Sequence, residues 1–170
     1  MSKIAAVIRP INKHSDAEIL LVARRMRQTL VEVLGAERGT ALYTMDWLEQ
    51  RVRWHLDAGQ STACVYLAEA ADGEISGHTI VRKDLDSSQQ EVGLFSTTYV
   101  ATPFRRAGVA SQLLKAGEDW IRGIGLLVAE TYTDKDNHKL IQLFSGHGYQ
   151  ISPTENEMVI LRKGLADKGP

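Results

Sequence analysis

The sequence predicts a mixed α+β fold, and three observations carry that expectation. Apolar residues recur with a period of two in some stretches and of about 3.6 in others, so strands and helices both form. Their order is strand, two helices, three strands, helix, strand, helix, two strands, which is not the strict βα alternation of a doubly wound sheet. No repeat, low-complexity tract or linker divides the 170 residues, a length that suits one domain (1–170) with one substantial core.

Ile4 to Ile8 reads as a short strand, ended by Arg9-Pro10 because proline cannot continue a central ladder. Ser15-x-x-Glu18 is a capping-box pattern. Ile19, Val22, Met26, Leu30 and Val33 then keep helical spacing up to a stop at Gly35. Residues 36–43 read as a loop. A second helix is expected from Thr44 to Ala58, with Met45, Leu48, Val52 and His55 on one stripe and Trp47, Arg51 and Trp54 on an adjacent one. The tryptophans suit either a ligand pocket or core and dimer packing.

Thr62–Glu69 and Glu74–Lys83 read as a hairpin around a turn at Ala70–Gly73. Asp84–Gln90 is polar and reads as a loop. In the strand Glu91–Val100, strict alternation puts Val92, Leu94, Ser96, Thr98 and Val100 on one face and Glu91, Gly93, Phe95, Thr97 and Tyr99 on the other. After a helix ending near Gly123 come a strand at Leu126–Thr133 and a helix at Asn137–Ser145 with Leu140, Ile141 and Phe144 inward. Tyr149–Ser152 and Met158–Arg162 form a closing hairpin, and the residues from Lys163 onward read as a frayed tail.

Composition narrows the function classes. Apolar residues make up 44% and charged residues 24%, the balance of a globular protein. A net charge of −1 offers no electrostatic basis for broad nucleic-acid or anionic-membrane binding. The single cysteine, Cys64, sits in an apolar strand and reads as a structural thiol. There is no His/Cys cluster at zinc spacing, so no metal is expected. No signal-peptide core or membrane-length apolar run occurs, which makes the cytoplasm the expected compartment.

Residues 99–122, YVATPFRRAGVASQLLKAGEDWIR, organise the rest. A strand ends at Tyr99-Val100, and a helix opens after Arg105-Arg106-Ala107-Gly108, with Val109, Leu113, Ala116 and Trp120 as its apolar stripe. The first turn of a helix leaves backbone N–H groups without intrahelical acceptors. Gly108 and Ala110 keep side chains small there, so an anion can approach the backbone. The helix dipole and the two arginines add positive potential. Together these suit a phosphate or pyrophosphate; the alternative is an ordinary strand-to-helix turn. Neither G-x-G-x-x-G after an early strand nor G-x-x-x-x-G-K-[ST] is present, which argues against Rossmann and Walker-type sites.

Arg105-x-x-Gly108-x-Ala110 resembles the Q/R-x-x-G-x-G/A signature of GNAT-type N-acetyltransferases. Asn137-x-x-Leu140-x-x-Leu143-Phe144-x-x-x-Gly148-Tyr149 resembles a later segment of the same family, and Ile75-Ser76-Gly77-His78 the start of its third strand. The likeness in element order spans about residues 4–163. It implies the GNAT fold: a mostly antiparallel twisted sheet of about seven strands flanked by about four helices, whose fourth and fifth strands splay apart. It implies acetyl-CoA as acyl donor, cradled at its pyrophosphate by Arg105, Arg106, Ala107, Gly108, Val109, Ala110 and Ser111. It further implies pantetheine pairing along Tyr99 and Val100, with Asn137 and Phe144 beside the cofactor. The first two helices, with Trp47, Arg51 and Trp54, would border the acceptor.

Acetyl transfer to an amine needs a group to remove a proton, because a lysine-like ammonium has a pKa of roughly 10.4. Glu91 and Glu130 are the candidate carboxylates, and His78 and His138 have suitable intrinsic pKa values. Phe144 stands where many members of the family it resembles carry a tyrosine, so Tyr132, Tyr149 or solvent is the candidate acid. The expected acceptor is a primary amine on a small molecule or peptide. The rival expectations are a catalytically silent acyl-CoA-binding module of the same fold, and an acyltransferase with another donor or an oxygen acceptor. Strand edges near the C-terminus are compatible with a homodimer.

Overall fold

The computed structural model describes residues 6–105, 107–154 and 156–165. Ile4, Arg106 and the tail 166–170 lie outside the described residues. Seven strands form one sheet in the order β1-β2-β3-β4-β5-β7-β6. They are β1 (Ala6–Pro10), β2 (Ala63–Ala70), β3 (Ile75–Leu85), β4 (Glu91–Val100), β5 (Val128–Asp134), β6 (Gln150–Pro153) and β7 (Met158–Gly164). Every neighbouring pair is antiparallel except β4–β5. The helices are α1 (Asp16–Leu34), α2 (Ala36–Ala41), α3 (Met45–Leu56), α4 (Val109–Gly123) and α5 (His138–Gly146).

One sheet face packs against α1 and α3 through Ile19, Val22, Leu48, Val52, Val65, Leu67 and Ile80. The other packs against α4 and α5 through Val81, Phe95, Leu114, Ile121, Ala129, Phe144 and Leu161. Removing each such Leu, Ile or Phe side chain from water contributes roughly 1.5–3 kcal/mol.

Several elements depart from the sequence reading. Arg9 and Pro10 belong to β1, because β1 is an edge strand and proline's missing N–H leaves no ladder bond unmade there. Ser15 caps α1 by accepting from Glu18 N, but the Glu18 carboxylate turns to Asn12 N and Arg9, so the capping box is only half formed. The expected loop at 36–43 contains α2. Gly35, at φ 89°, reverses the chain, and Gly39 presses α2 onto α1 where an added Cβ would lie 2.6 Å from the Val31 backbone. Asp84 and Leu85 extend β3, and a turn of Asp86–Gln90 remains. Lys163 and Gly164 extend β7, and Leu165 is buried, its N–H donating to Leu127 O.

α4 is rotated relative to the expected stripe. Val109 and Leu113 are buried, but the core side continues through Leu114, Gly117 and Ile121, while Ala116 and Trp120 are only half-buried. Gly117 explains the rotation: Phe95 occupies the space a Cβ would fill.

The strict alternation expected in β4 fails at Ser96. Ile80 faces Thr97 and the next residue, Val81, faces Phe95, so Ser96 is an extra, exposed residue opposite no partner. This is a β-bulge, which bends a strand and shifts its facing pattern by one. Gly93 and Phe95 therefore share the α4 side with Thr98 and Val100. Leu94, Thr97 and Tyr99 turn to the α1 side.

Candidate active site

The bulge coincides with the end of a strand pairing. β4 and β5 pair only at Gly93–Ala129, Leu94–Glu130 and Phe95–Thr131, although both strands continue. Thr131 Oγ1 donates to Phe95 O at 2.9 Å in the last rung. Beyond it the strands part, and β4 offers an unpaired backbone edge.

A cleft of about 650 Å³ opens on this parting and is bordered by the start of α4. Tyr99, Val100, Arg105, Gly108, Ala110, Ser111 and Asn137, all named from the sequence as cofactor-binding candidates, line it. Gly108 caps α4 in the left-handed region (φ 87°) and no side chain among the described residues caps that helix end, so the first-turn N–H groups are open to the cleft. Lys139, on α5, adds a cation to the wall. This donor set fits a pyrophosphate.

Arg105 does not extend into the cleft as a free charge. Its Nε donates to Val100 O at 2.7 Å, and its Nη2 donates to both Glu32 oxygens. Val109 is buried in the core, and Ala107 is half-buried and does not line the cleft. Asn137 caps α5, accepting from Leu140 N, while its Nδ2 donates to Thr133 Oγ1 at 3.0 Å. Phe144 is a correction: it is fully buried between Phe95 and Tyr149, ring edge to ring face, and does not reach the cleft.

A second cavity, of about 580 Å³, lies on the α1–α3 side. Trp47 and Arg51 line it with Tyr43, His55, Arg82, Asp84, Leu94, Thr97 and Tyr132. Tyr43 and Trp47 stack at 4.1 Å. Trp54 stands behind the wall, with the Arg51 guanidinium 4.1 Å and that of Arg82 5.7 Å from its ring centroid. The two spaces are contiguous: Thr29 lines both, and the neighbours Thr97 and Thr98 line one each.

The candidate proton-handling groups separate cleanly. Glu91 is exposed at the far end of β4, beside Lys83, and lines neither space. Glu130 is buried opposite Leu94 and also lines neither space; its Oε2 accepts from Arg162 at 2.9 Å and its Oε1 has no partner among the described residues. Burial, reinforced by Glu130, raises the Tyr132 phenol above its ordinary value, so it is protonated at neutral pH. Tyr149 is unavailable, since its hydroxyl is buried and donates to Glu118 at 2.7 Å. His138 is exposed outside both spaces. His78 is fully buried beneath Tyr99, and desolvation lowers its pKa to about 3. Cys64 is half-buried, and burial raises its thiol pKa.

The family model described as "Acetyltransferase (GNAT) family" matches residues 24–149. The chain belongs to the GNAT acetyltransferase family. This GNAT chain also resembles solved structures in fold. One is paia N-acetyltransferase from Thermoplasma acidophilum in complex with coenzyme A (16% identity, 95% of this chain and 99% of that one, TM-score 0.71). A second is yncA from Salmonella typhimurium, solved with its cofactor acetyl-CoA (14% identity, 98% and 97%, TM-score 0.73). A third is ribosomal-protein-alanine N-acetyltransferase from Brucella melitensis (16% identity, 94% and 99%, TM-score 0.71). No curated protein matches the chain in sequence.

Sequence reasoning missed part of this candidate site in the GNAT chain. Thr29 and Glu32 sit on α1, which the motifs did not connect to the cleft. His55 carried a signal, a histidine in an apolar stripe, but its partner Arg82 comes from a strand 27 residues away. Among the described residues, no helix is long and apolar enough to cross a membrane and no group of three or more His, Cys, Asp or Glu is arranged to hold a metal ion.

Proposed function

We propose that this protein transfers the acetyl group of acetyl-CoA to a primary amine. The observation that carries the reading is the contiguity of the α4 cleft and the α3 cavity at the parting of β4 and β5. A donor held in the cleft and an amine in the cavity would meet there, and holding both in one site supplies rate through orientation. Acetyl-CoA, when bound, supplies an acetyl group activated as a thioester. The α4 first turn and Lys139 hold its phosphates, and the open edge of β4 aligns its arm.

The remaining task is to move protons. The amine must lose one, and Glu130 Oε1 is a buried carboxylate oxygen without a partner among the described residues, two positions along β5 from Tyr132 of the cavity wall, although Glu130 itself lines neither space. The protonated Tyr132 phenol lines the same cavity and is the group that would give a proton to the departing thiolate. A second reading, a catalytically silent acyl-CoA-binding module, draws on one observation: Phe144 is sealed in the core, so no proton donor stands at that position.

Calorimetric titration with acetyl-CoA and with CoA, followed by thiol release against a panel of amines, tests both. Saturable binding with turnover is the expected result. Binding without turnover on any amine favours the silent module, and absence of binding overturns both readings.

A further inference from the structure

The charges that line the α3 cavity do not cancel. Arg82 is committed: its Nε and Nη2 donate to Asp84 Oδ2 at 3.2 and 3.1 Å, and its Nη1 lies 3.2 Å from His55 Nε2. His55 adds no charge. Its Nδ1 lies 2.8 Å from Arg51 O, an acceptor only, so Nδ1 carries the proton and Nε2 accepts from Arg82. Arg51 is different. It lines the cavity, yet its guanidinium meets no carboxylate among the described residues; its contact is the Trp54 ring, 4.1 Å from the guanidinium carbon. Of the charged side chains that line the cavity, two guanidiniums and one carboxylate leave one positive charge in excess; Glu130 and Asp86, which share Arg162, do not line it.

We propose that Arg51 is a carboxylate-binding subsite, and that the acceptor is an amine carrying a carboxylate and an apolar side chain, as an apolar α-amino acid does. This rests on the acetyl-transfer reading above and names its substrate class. Its place over the Trp54 ring restrains the guanidinium without using its N–H donors, and a guanidinium on a cavity wall can receive a carboxylate through two parallel hydrogen bonds. The apolar part of the wall, made by Leu30, Leu48, Leu94 and the Tyr43–Trp47 stack, suits the side chain. A volume of about 580 Å³ holds a molecule of amino-acid size with room for the reacting amine. Burial first, then repulsion from Arg82, lower the Arg51 pKa against a smaller opposing pull from Asp84, and an anion bound at the guanidinium offsets both penalties.

The test compares matched pairs of acceptors that differ only in the carboxylate: L-phenylalanine with 2-phenylethylamine, and L-leucine with 3-methylbutylamine. Thiol release at saturating acetyl-CoA is measured for the unaltered protein, for Arg51→Gln and Arg51→Lys, and for Arg53→Gln. Arg53 points away on the same helix, where it pairs with Asp16 and Glu49. The expected kcat/KM favours the carboxylate-bearing member by about 10- to 100-fold, the range a charge-assisted hydrogen bond commands. Arg51→Gln brings that ratio close to one, Arg51→Lys restores part of it, and Arg53→Gln leaves it alone. A ratio near one in the unaltered protein, or one unmoved by Arg51→Gln, overturns the proposal.

A binding arm makes the answer independent of turnover. N-acetyl-L-phenylalanine and N-acetyl-2-phenylethylamine are titrated onto CoA-loaded protein by calorimetry. Preferential binding of the acid, lost in Arg51→Gln while CoA affinity holds, supports the subsite. CoA binding with no preference for the acid overturns the subsite alone, whereas failure to bind CoA removes the acetyl-transfer reading and this inference with it.

Discussion

Arg105 Nη2 donates to both carboxylate oxygens of Glu32, at 3.0 and 3.1 Å, and so ties the loop before α4 to the last turns of α1 beside the cleft. The guanidinium also holds the Val100 carbonyl. The arginine of the signature is here a brace for the cleft more than a ligand for an anion.

The first prediction follows from that brace. Arg105→Ala is expected to weaken acetyl-CoA binding by less than about tenfold, because its charge is already spent on Glu32. Gly108→Val is expected to weaken it by more than tenfold, since a β-branched residue at φ 87° is strained and projects into the cleft. Calorimetry on folded variants checks the order. Equal losses would mean that Arg105 leaves Glu32 to reach the phosphates.

Proton handling separates Tyr132 and Glu130. Tyr132→Phe should lower kcat by on the order of 10²-fold with little change in the KM for acetyl-CoA. Glu130→Gln should lower kcat comparably. Steady-state thiol release reads both, and an unchanged kcat in Glu130→Gln would leave the base elsewhere.

Two buried histidines predict a loss of stability on mild acidification. Burial depresses His55 to about 4 and His78 to about 3, so the fold holds both rings neutral. As pH falls below the ordinary histidine value near 6.5, the unfolded chain takes up protons that the folded one does not. Stability is therefore full above about pH 6.5 and declines toward pH 4 and below, by up to about 1.4 kcal/mol per pH unit for each ring. Glu18 and Asp86, whose pKa values are lowered chiefly by hydrogen bonds, add their losses only below about pH 4.5. Urea unfolding at pH 7 and pH 5 should show the decline, and His78→Phe should make it shallower.

Packing at α4 gives a fourth test. A Cβ on Gly117 would lie 2.3 Å from Phe95 Cε1 and 2.9 Å from Val81 Cγ1. Gly117→Ala is expected to destabilise by about 1–3 kcal/mol, even though alanine is the better helix former. A rise in the urea midpoint would mean that Phe95 has room to move.

The element order and the α4 cleft were legible in the sequence because both depend on local chemistry. Gly108 and Ala110 expose backbone N–H groups wherever a strand runs into a helix, and Asn137 caps α5 from within its own segment. What stayed hidden depends on partners distant in sequence. Glu91 and Glu130 look alike along the chain, and only the register of β4 against β5 puts Glu130 next to Leu94 and leaves Glu91 at the exposed end. Trp47 and Trp54 share an expected stripe, yet the position of Arg51 and Arg82 puts one in the cavity wall and the other behind it. α2 escaped notice because its six residues are held by the docking of Gly39, not by their own helical preference. The single extra residue at Ser96 has no composition signal, since a bulge is a property of two paired strands.

That extra residue also sets where the gene tolerates changes of length. The β2–β3 turn at Ala71–Glu74 is exposed, and an inserted codon there lengthens a loop tip and nothing else. Losing the codon for Ser96 would leave Tyr99 facing α1 and Val100 facing α4, but it would take out the bulge and with it the bend at which β4 leaves β5. Homologous chains should therefore drift freely in length at the hairpin tip and hold a constant count from Phe95 to Gly108, however far their side chains diverge.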